Sequence, residues 1–274
     1  MAGFFQLLRT NRNYRAMWQA QVVSEVGDNF NNIAVFGLVM QQTHSGMAVG
    51  GVMLSRAVGM LLAAPIAGVL LDRFDRRRIM VASDLVRSII ALAFLLTIHE
   101  RNVGLLLFLS GLLMFASPFF TSGRASILPR IATRDELHTA NSLTQTTAWT
   151  SVALGSFLGG AVASWFGFQV AFVFNALSFL FSALFIGRLR SPGGSGFTAS
   201  RDDVEPHERH PLRDYVDGLR YMRSVPLLFA LALVAWVGRP GAARPRSFSA
   251  FSAKSFSSAA RLASARSGGA RASA

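Results

Sequence analysis

The chain has 274 residues, of which 51% are hydrophobic and only 15% are charged, and its mean hydropathy is +0.39. Soluble domains carry about 25% charged residues, so this composition excludes an ordinary soluble protein. The absence of cysteine excludes a disulfide framework and a thiolate metal site, and we expect no other metal site. The net charge of +13 does not indicate a nucleic-acid-binding protein, because the segment after Val237 supplies more than half of it.

Six apolar segments predict six transmembrane helices, since a helix needs about 20 apolar residues to cross a bilayer. The segments are Tyr14–Met40, Met47–Leu71, Ile79–Ile98, Val103–Phe120, Asn141–Ser164 and Phe168–Gly187. Only helices satisfy their backbone groups inside such spans. The predicted fold class is therefore an all-α membrane protein with a six-helix bundle over residues 1–190. An incomplete seventh span is predicted over residues 226–237.

Arginine is concentrated in alternate connections, which predicts the orientation of the bundle. The N-terminal segment and the second, fourth and sixth connections are rich in arginine, whereas those between them hold one or none. The fourth connection is the predicted loop Gly123–Leu137, with Arg124, Arg130 and Arg134. Positive charge stays on the cytoplasmic side, so we expect a multi-pass protein of the cell membrane with a cytoplasmic N-terminus. We see no cleavable signal peptide.

The first predicted span carries an unusual set of polar residues. At about 100° per residue they fall largely on one stripe of a helix. A carboxylate inside a span costs a few kcal/mol and usually faces a cavity, where it could couple protons or bind a cationic substrate. A structural hydrogen-bond network between helices is an equal alternative. The residues predicted to line the cavity are Glu25, Asp28, Asn29, Asn32 and, from the second span, Arg56, for which Glu25 or Asp28 is the expected partner.

A charged loop follows the second span and resembles a motif of major facilitator superfamily transporters. The family pattern is Gly-x-Leu-x-Asp-Arg-x-Gly-Arg-Arg/Lys. The matching residues are Gly68, Leu70, Asp72, Arg73, Arg76 and Arg77. Asp75 stands where the family usually has glycine, so the turn must close without that flexible residue.

Two further stretches resemble the efflux branch of this family that includes enterobactin and macrolide exporters. One runs from Leu128-Pro129-Arg130 through Asp135-Glu136-Leu137 to Ala140-Asn141-Ser142-Leu143. The other resembles the Gly-Pro-x-x-Gly-Gly motif of antiporters, with serine in place of proline. Its glycines, which permit close helix packing, are Gly155, Gly159 and Gly160. The resemblance covers roughly residues 5 to 237.

The resemblance implies the N-terminal half of a secondary transporter, not an enzyme, that exports a small amphipathic molecule of drug or siderophore type. The proton gradient would drive it, with no cofactor and no nucleic acid. It also implies that Asp72 and Arg73 belong to a cytoplasmic gate, although the loop could merely set topology. Asp84 and Arg87, three residues apart, are expected either to join this gate or to form a local pair.

The remainder of the chain reads differently. Residues 191–225 are expected to form a cytoplasmic linker containing an amphipathic helix over Pro211–Ser224. Residues 238–274 are a low-complexity segment, which fits a disordered tail. We prefer a frameshift, because GC-rich codons for this tail can encode an apolar, glycine-rich sequence in another frame. Such a chain would lack the C-terminal half and would be a transport-inactive remnant.

Overall fold

The computed structural model describes residues 4–100, 102–191 and 196–197, and all regular structure in this part is helical. The helices are α1 Phe4–Thr10, α2 Arg12–Thr43, α3 Gly46–Arg73, α4 Arg76–Glu100, α5 Val103–Ile131, α6 Arg134–Phe166 and α7 Phe168–Gly187. The predicted amphipathic helix, the seventh span and the tail over 238–274 lie outside the described residues.

The six predicted spans correspond to α2–α7, but several helices run beyond the predicted ends. The largest difference is at α5, which continues to Ile131 instead of ending at Phe120. Its 29 residues measure about 43 Å, longer than the roughly 30 Å hydrocarbon core of a bilayer, so its polar end can extend beyond that core. The loop predicted over Gly123–Leu137 is therefore wrong. Arg124 and Arg130 lie within α5. The length of an apolar segment indicates how much of a helix can lie in lipid, but it does not show where the helix ends.

Capping residues set the helix ends. The side chain of Asn11 accepts a hydrogen bond from Tyr14 N at the start of α2. At the start of α6, Thr133 and Glu136 form a reciprocal capping box. Gly167 has φ = 80° and separates α6 from α7, a conformation that glycine adopts without strain.

Among the described residues, four helices are long and apolar enough to cross a membrane, namely α3, α4, α5 and α7. The other two long helices of the described part, α2 and α6, carry many polar residues. Since α2 packs against α5, α6 and α7, its polar side chains meet protein groups instead of lipid. The bundle thus tolerates a polar helix by enclosing it.

The arginine-bearing connections meet at one end of the bundle. Asn11 Nδ2 donates to the carbonyl of Ile131 at 2.7 Å, and Arg77 Nη1 donates to the carbonyl of Leu189 at 2.8 Å. These contacts join the start of α2 to the end of α5, and the start of α4 to the residues after α7. We call this region, with residues 73–78, 131–134 and 188–190, the arginine-rich end.

Candidate functional site

Three polar residues of α2 each contact an arginine from a different helix. The α2 residues are spaced three and four apart, so they share one face. The contacts are Glu25 with Arg124 of α5 at 3.2 Å, Asp28 with Arg87 of α4 at 3.9 Å, and Asn32 with Arg56 of α3 at 2.7 Å. Together with Asp84 these residues form what we call the ionic network. It ties α2 to three neighbouring helices through side-chain contacts.

The ionic network lies deep in the bundle. Asp28 is 16 residues beyond Arg12 in a helix of 32 residues. At 1.5 Å per residue it lies about 24 Å from the arginine-rich end of the helix. This depth is near the middle of α2. A charge at this depth is expensive unless it is paired or faces water.

Arg87 is the most enclosed cation of the network. Its side chain is 2% exposed and pairs directly with Asp84, which is 0% exposed. The guanidinium contacts two rings, 4.7 Å from the centroid of Phe120 and 4.4 Å from that of Phe179. Planar guanidinium groups stack well on aromatic faces. Asp84 and the two rings therefore hold Arg87 without help from α2.

Asp28 is the more accessible carboxylate bound to Arg87. Its side chain is 27% exposed, and its Oδ2 lies 3.9 Å from Arg87 Nη1. Arg87 is thus paired with a fully buried side chain on its own helix and with a partly exposed one on α2. The expected local pair of Asp84 and Arg87 is present. Its membership in a cluster with the loop residues Asp72 and Arg73 stays a prediction.

Glu25 forms the second ion pair of the network. Its Oε1 accepts from Arg124 Nη1 at 3.2 Å and from Gln21 Nε2 at 2.9 Å. Sequence reasoning treated Arg124 only as a loop charge that sets orientation. A local signal could have indicated that the helix continues as far as Arg124. No proline lies between Phe120, where the predicted span ends, and Arg124.

Arg56 has a different partner from the one expected. Its Nη1 donates to Asn32 Oδ1, and its guanidinium lies 5.0 Å from the Phe36 ring centroid. Glu25 and Asp28, the expected partners, instead make their shortest ionic contacts with Arg124 and Arg87. Within the described residues, Arg56 Nε and Nη2 are buried without an acceptor. Arg56 is therefore held by a neutral amide and a ring.

Asn29 lies at the contact between α2 and α6. It is 8% exposed, and its Nδ2 donates to the carbonyl of Glu25 at 2.7 Å and to that of Ser151 on α6 at 3.4 Å. Asn29 is one residue beyond Asp28, and this rotation of about 100° turns it toward α6. Its placement at a helix–helix contact corrects the prediction of a cavity residue.

The glycines of α6 divide into two kinds. A Cβ at Gly155 would lie 2.8 Å from Asn29 Cβ, and one at Gly159 would lie 3.1 Å from Phe30 Cα. Both glycines therefore allow α6 to approach α2 closely. At Gly160 an added Cβ would meet nothing within 4 Å. Within the described structure, the packing role predicted for all three glycines is seen at two.

The charged loop closes through Asp75. Its Oδ1 accepts from Arg78 N at 3.2 Å, and its carbonyl accepts from Ile79 N at 3.1 Å, as expected of an N-cap. The preceding residue, Phe74, has φ = −117°, so the chain turns here in extended backbone. An aspartate thus replaces the glycine of the family pattern by capping α4. The remaining motif residues are placed as follows: Gly68, Asp72 and Arg73 are exposed, and Leu70, Arg76 and Arg77 are half-buried.

The sequence pattern of the Major Facilitator Superfamily matches residues 18–254. The chain belongs to this superfamily of transporters, and the described bundle α2–α7 is the N-terminal half of its fold. The family resemblance seen in the sequence is confirmed. The match also runs past Val237, where the composition changes.

Similar proteins include several exporters. The chain is 29% identical over 222 residues to the multidrug efflux pump Tap of Mycolicibacterium fortuitum, covering 78% of the chain and 53% of Tap. It is 28% identical over 185 residues to the putative bacilysin exporter BacE of Bacillus subtilis (strain 168), covering 67% and 45%. It is 26% identical over 238 residues to the enterobactin exporter EntS of Shigella boydii, covering 83% and 53%. The chain spans about half the length of these curated relatives.

Proposed function

We propose that this chain forms the N-terminal half of a proton-coupled exporter of small amphipathic molecules in the cell membrane. Its N-terminus and the arginine-rich end would face the cytoplasm. The observation that carries the proposal is the contact between Asp28 and Arg87, because it places a partly exposed acidic side chain deep in the bundle and joins α2 to α4. The similarity to efflux pumps supports the direction of transport.

In this proposal, a proton and a cationic substrate compete for the carboxylate of Asp28. Protonation removes the charge of Asp28, and Arg87 then keeps only Asp84, its partner on α4. The electrostatic contact between α2 and α4 is lost in that state. A substrate cation would instead need the ionised form of Asp28. Competition for one carboxylate gives antiport, in which proton entry accompanies substrate exit.

The charged loop would act as a gate at the cytoplasmic end. Two observations support this role. The loop connects α3 to α4, and Arg77 and Asp75 bind the backbone of the segment after α7, at Leu189 and Phe197. A shift of α4 would therefore change contacts at this end. Charge clusters that form in one of two arrangements are a common device in conformational switching.

Transport in this proposal needs a second six-helix half, since substrate sites of such folds lie between two halves that rock against each other. The chain aligns with only about half of each relative. Reconstitution of these 274 residues in proteoliposomes tests whether they transport without a second half. Proton-driven movement of an organic cation would contradict the need for a second half, and its absence would support it.

The role of Asp28 can be tested in a full-length relative that carries an aspartate at the aligned position. We expect Asp→Asn there to reduce proton-driven efflux of an organic cation by about 100-fold or more, the scale of losing an essential proton-transfer group. Asp→Glu should retain part of it. A matched control neutralises the residue aligned with Asp135, which is exposed on the first turn of α6. Undiminished proton-dependent efflux in the Asp→Asn variant would refute the role.

A further inference from the structure

A cavity of about 1050 Å³ opens at the arginine-rich end, between the turn joining α3 to α4 and the residues that follow α7. Binding sites for small organic molecules are commonly about 300–1,000 Å³. The cavity can therefore hold a polar headgroup together with the adjoining part of a longer molecule. It is separate from the ionic network, which shares no residue with its lining.

The lining of this cavity is strongly basic. Four arginines contribute to it, namely Arg73, Arg77, Arg78 and Arg190. Asp75 is the acidic residue among the lining residues that the structure describes. Its two carboxylate oxygens accept from the backbone N–H groups of Arg78 and Phe197. That carboxylate is therefore hydrogen-bonded to the backbone, and its single negative charge stands against four guanidinium groups in the lining.

The arginines differ in how they are held. Arg77 Nη1 donates to the carbonyl of Leu189 at 2.8 Å, so it is partly fixed in place. Arg73, Arg78 and Arg190 are exposed and make no ion pair within the part of the chain that the structure describes. Three guanidinium groups are thus available to a ligand from outside. Guanidinium groups bind phosphate oxygens through paired, charge-assisted hydrogen bonds.

One wall of the cavity is apolar. Leu70, Phe74, Ile79 and Leu189 contribute to it, and Phe74 is 55% exposed. The wall adjoins the ends of α3 and α4, two helices that are apolar enough to cross a membrane. The cavity is therefore amphipathic and lies where these helices leave the hydrocarbon. Basic pockets between transmembrane helices at this level suit acidic lipid headgroups.

We propose that this cavity is a binding site for the headgroup of an anionic phospholipid. The phosphate would accept from Arg73, Arg78 and Arg190, and the upper acyl chain would lie against Phe74 and Ile79. A free phosphate ester has the same polar chemistry. The apolar wall favours the lipid, because a free ester would leave that wall in water.

The test uses the full 274-residue chain in phosphatidylcholine vesicles with and without a fraction of phosphatidylglycerol. The test variant is Arg73→Gln/Arg78→Gln/Arg190→Gln, and bound lipid is counted by native mass spectrometry while the melting temperature is followed by circular dichroism. We expect phosphatidylglycerol to bind and stabilise the parent chain. The triple variant should bind on the order of 100-fold more weakly, since each of the three arginines is expected to make a charge-assisted hydrogen bond to the phosphate that contributes about a 5-fold factor.

A matched control separates a site from general attraction. Arg9→Gln/Arg12→Gln/Arg134→Gln removes the same charge from exposed positions that do not line this cavity. It should bind phosphatidylglycerol as the parent does. Equal losses in the two triple variants would overturn the proposal. So would soluble glycerol phosphate reproducing the whole stabilisation, which would assign a free phosphate ester. Arg78→Gln alone, with an expected 5-fold loss, serves if the triple variant does not fold.

Discussion

At the scale of single residues, Arg87 shows how a charge is accommodated inside the bundle. Burial of a charge costs several kcal/mol unless a partner and hydrogen bonds compensate. Arg87 has Asp84 on its own helix, Asp28 on another, and two phenyl rings in contact with its guanidinium. These partners come from four helices, so several contacts together compensate the buried charge.

Removal of Arg87 should be more harmful than removal of the whole pair. We expect Arg87→Met to lower the free energy of unfolding in mixed micelles by about 3–5 kcal/mol, because it leaves buried carboxylates unpaired. Adding Asp84→Leu to it should recover part of that loss, since one uncompensated carboxylate is then gone. Asp135→Asn, exposed on α6, serves as control and should change stability by less than about 0.5 kcal/mol. Additive losses in the double variant would contradict this description of the pair.

The partners of the charged residues could be predicted from sequence only in part. The spacing of Asp84 and Arg87 predicted their pairing, because residues three apart share a helix face. The partner of Arg56 could not be predicted, since it depends on how far α3 slides along α2. The observed offset places Arg56 opposite Asn32, about one turn from Asp28. Arg124 was missed because the length of α5 was underestimated.

At the scale of helices, the contact between α2 and α6 joins small residues to polar ones. Gly155 and Gly159 bring the helices together, and Trp18 Nε1 donates to Thr147 Oγ1 at 2.8 Å across the same contact. In lipid, the hydrophobic effect does not favour association of helices with each other. Close packing and interhelical hydrogen bonds stabilise helix contacts there instead. This contact explains why a polar helix such as α2 is stable in the bundle.

A pair of glycine variants on α6 tests this contact. We expect Gly155→Leu to lower the free energy of unfolding by about 1–3 kcal/mol or more, because the added side chain would meet Asn29 at short range. Gly160→Leu is the matched control on the same helix, where an added Cβ meets open space. Stability is measured by thermal unfolding in detergent. Equal effects of the two substitutions would show that α6 does not pack on α2 through Gly155.

At the scale of the whole molecule, the arginine distribution and the fold agree in placing the basic connections at one end. The contacts among Asn11, Ile131, Arg77 and Leu189 join those connections directly. Positive charge stays on the cytoplasmic side of a membrane, so this end is expected to face the cytoplasm. The chain contains no cysteine, which allows a direct test of that orientation.

Single cysteines introduced at the two ends should react differently with a membrane-impermeant maleimide in whole cells. Met47→Cys, 88% exposed and at the far end from the arginines, is expected to be labelled from outside. Asp135→Cys, exposed at the arginine-rich end, should be labelled only after lysis. The parent chain without cysteine gives the background. The opposite pattern would reverse the proposed orientation.

Composition and the length of the apolar segments were sufficient to predict a helical membrane protein. The motif in the charged loop indicated the family. These properties are local, since each depends on a short run of residues. The free energy of placing such a run in lipid does not depend on which other residues it contacts. Tertiary structure decided which residues of α2 meet which arginines, where α5 ends, and that Asp75 caps α4. Those contacts join residues up to about 100 positions apart. They depend on helix rotation and offset, which packing sets and which one sequence does not reveal.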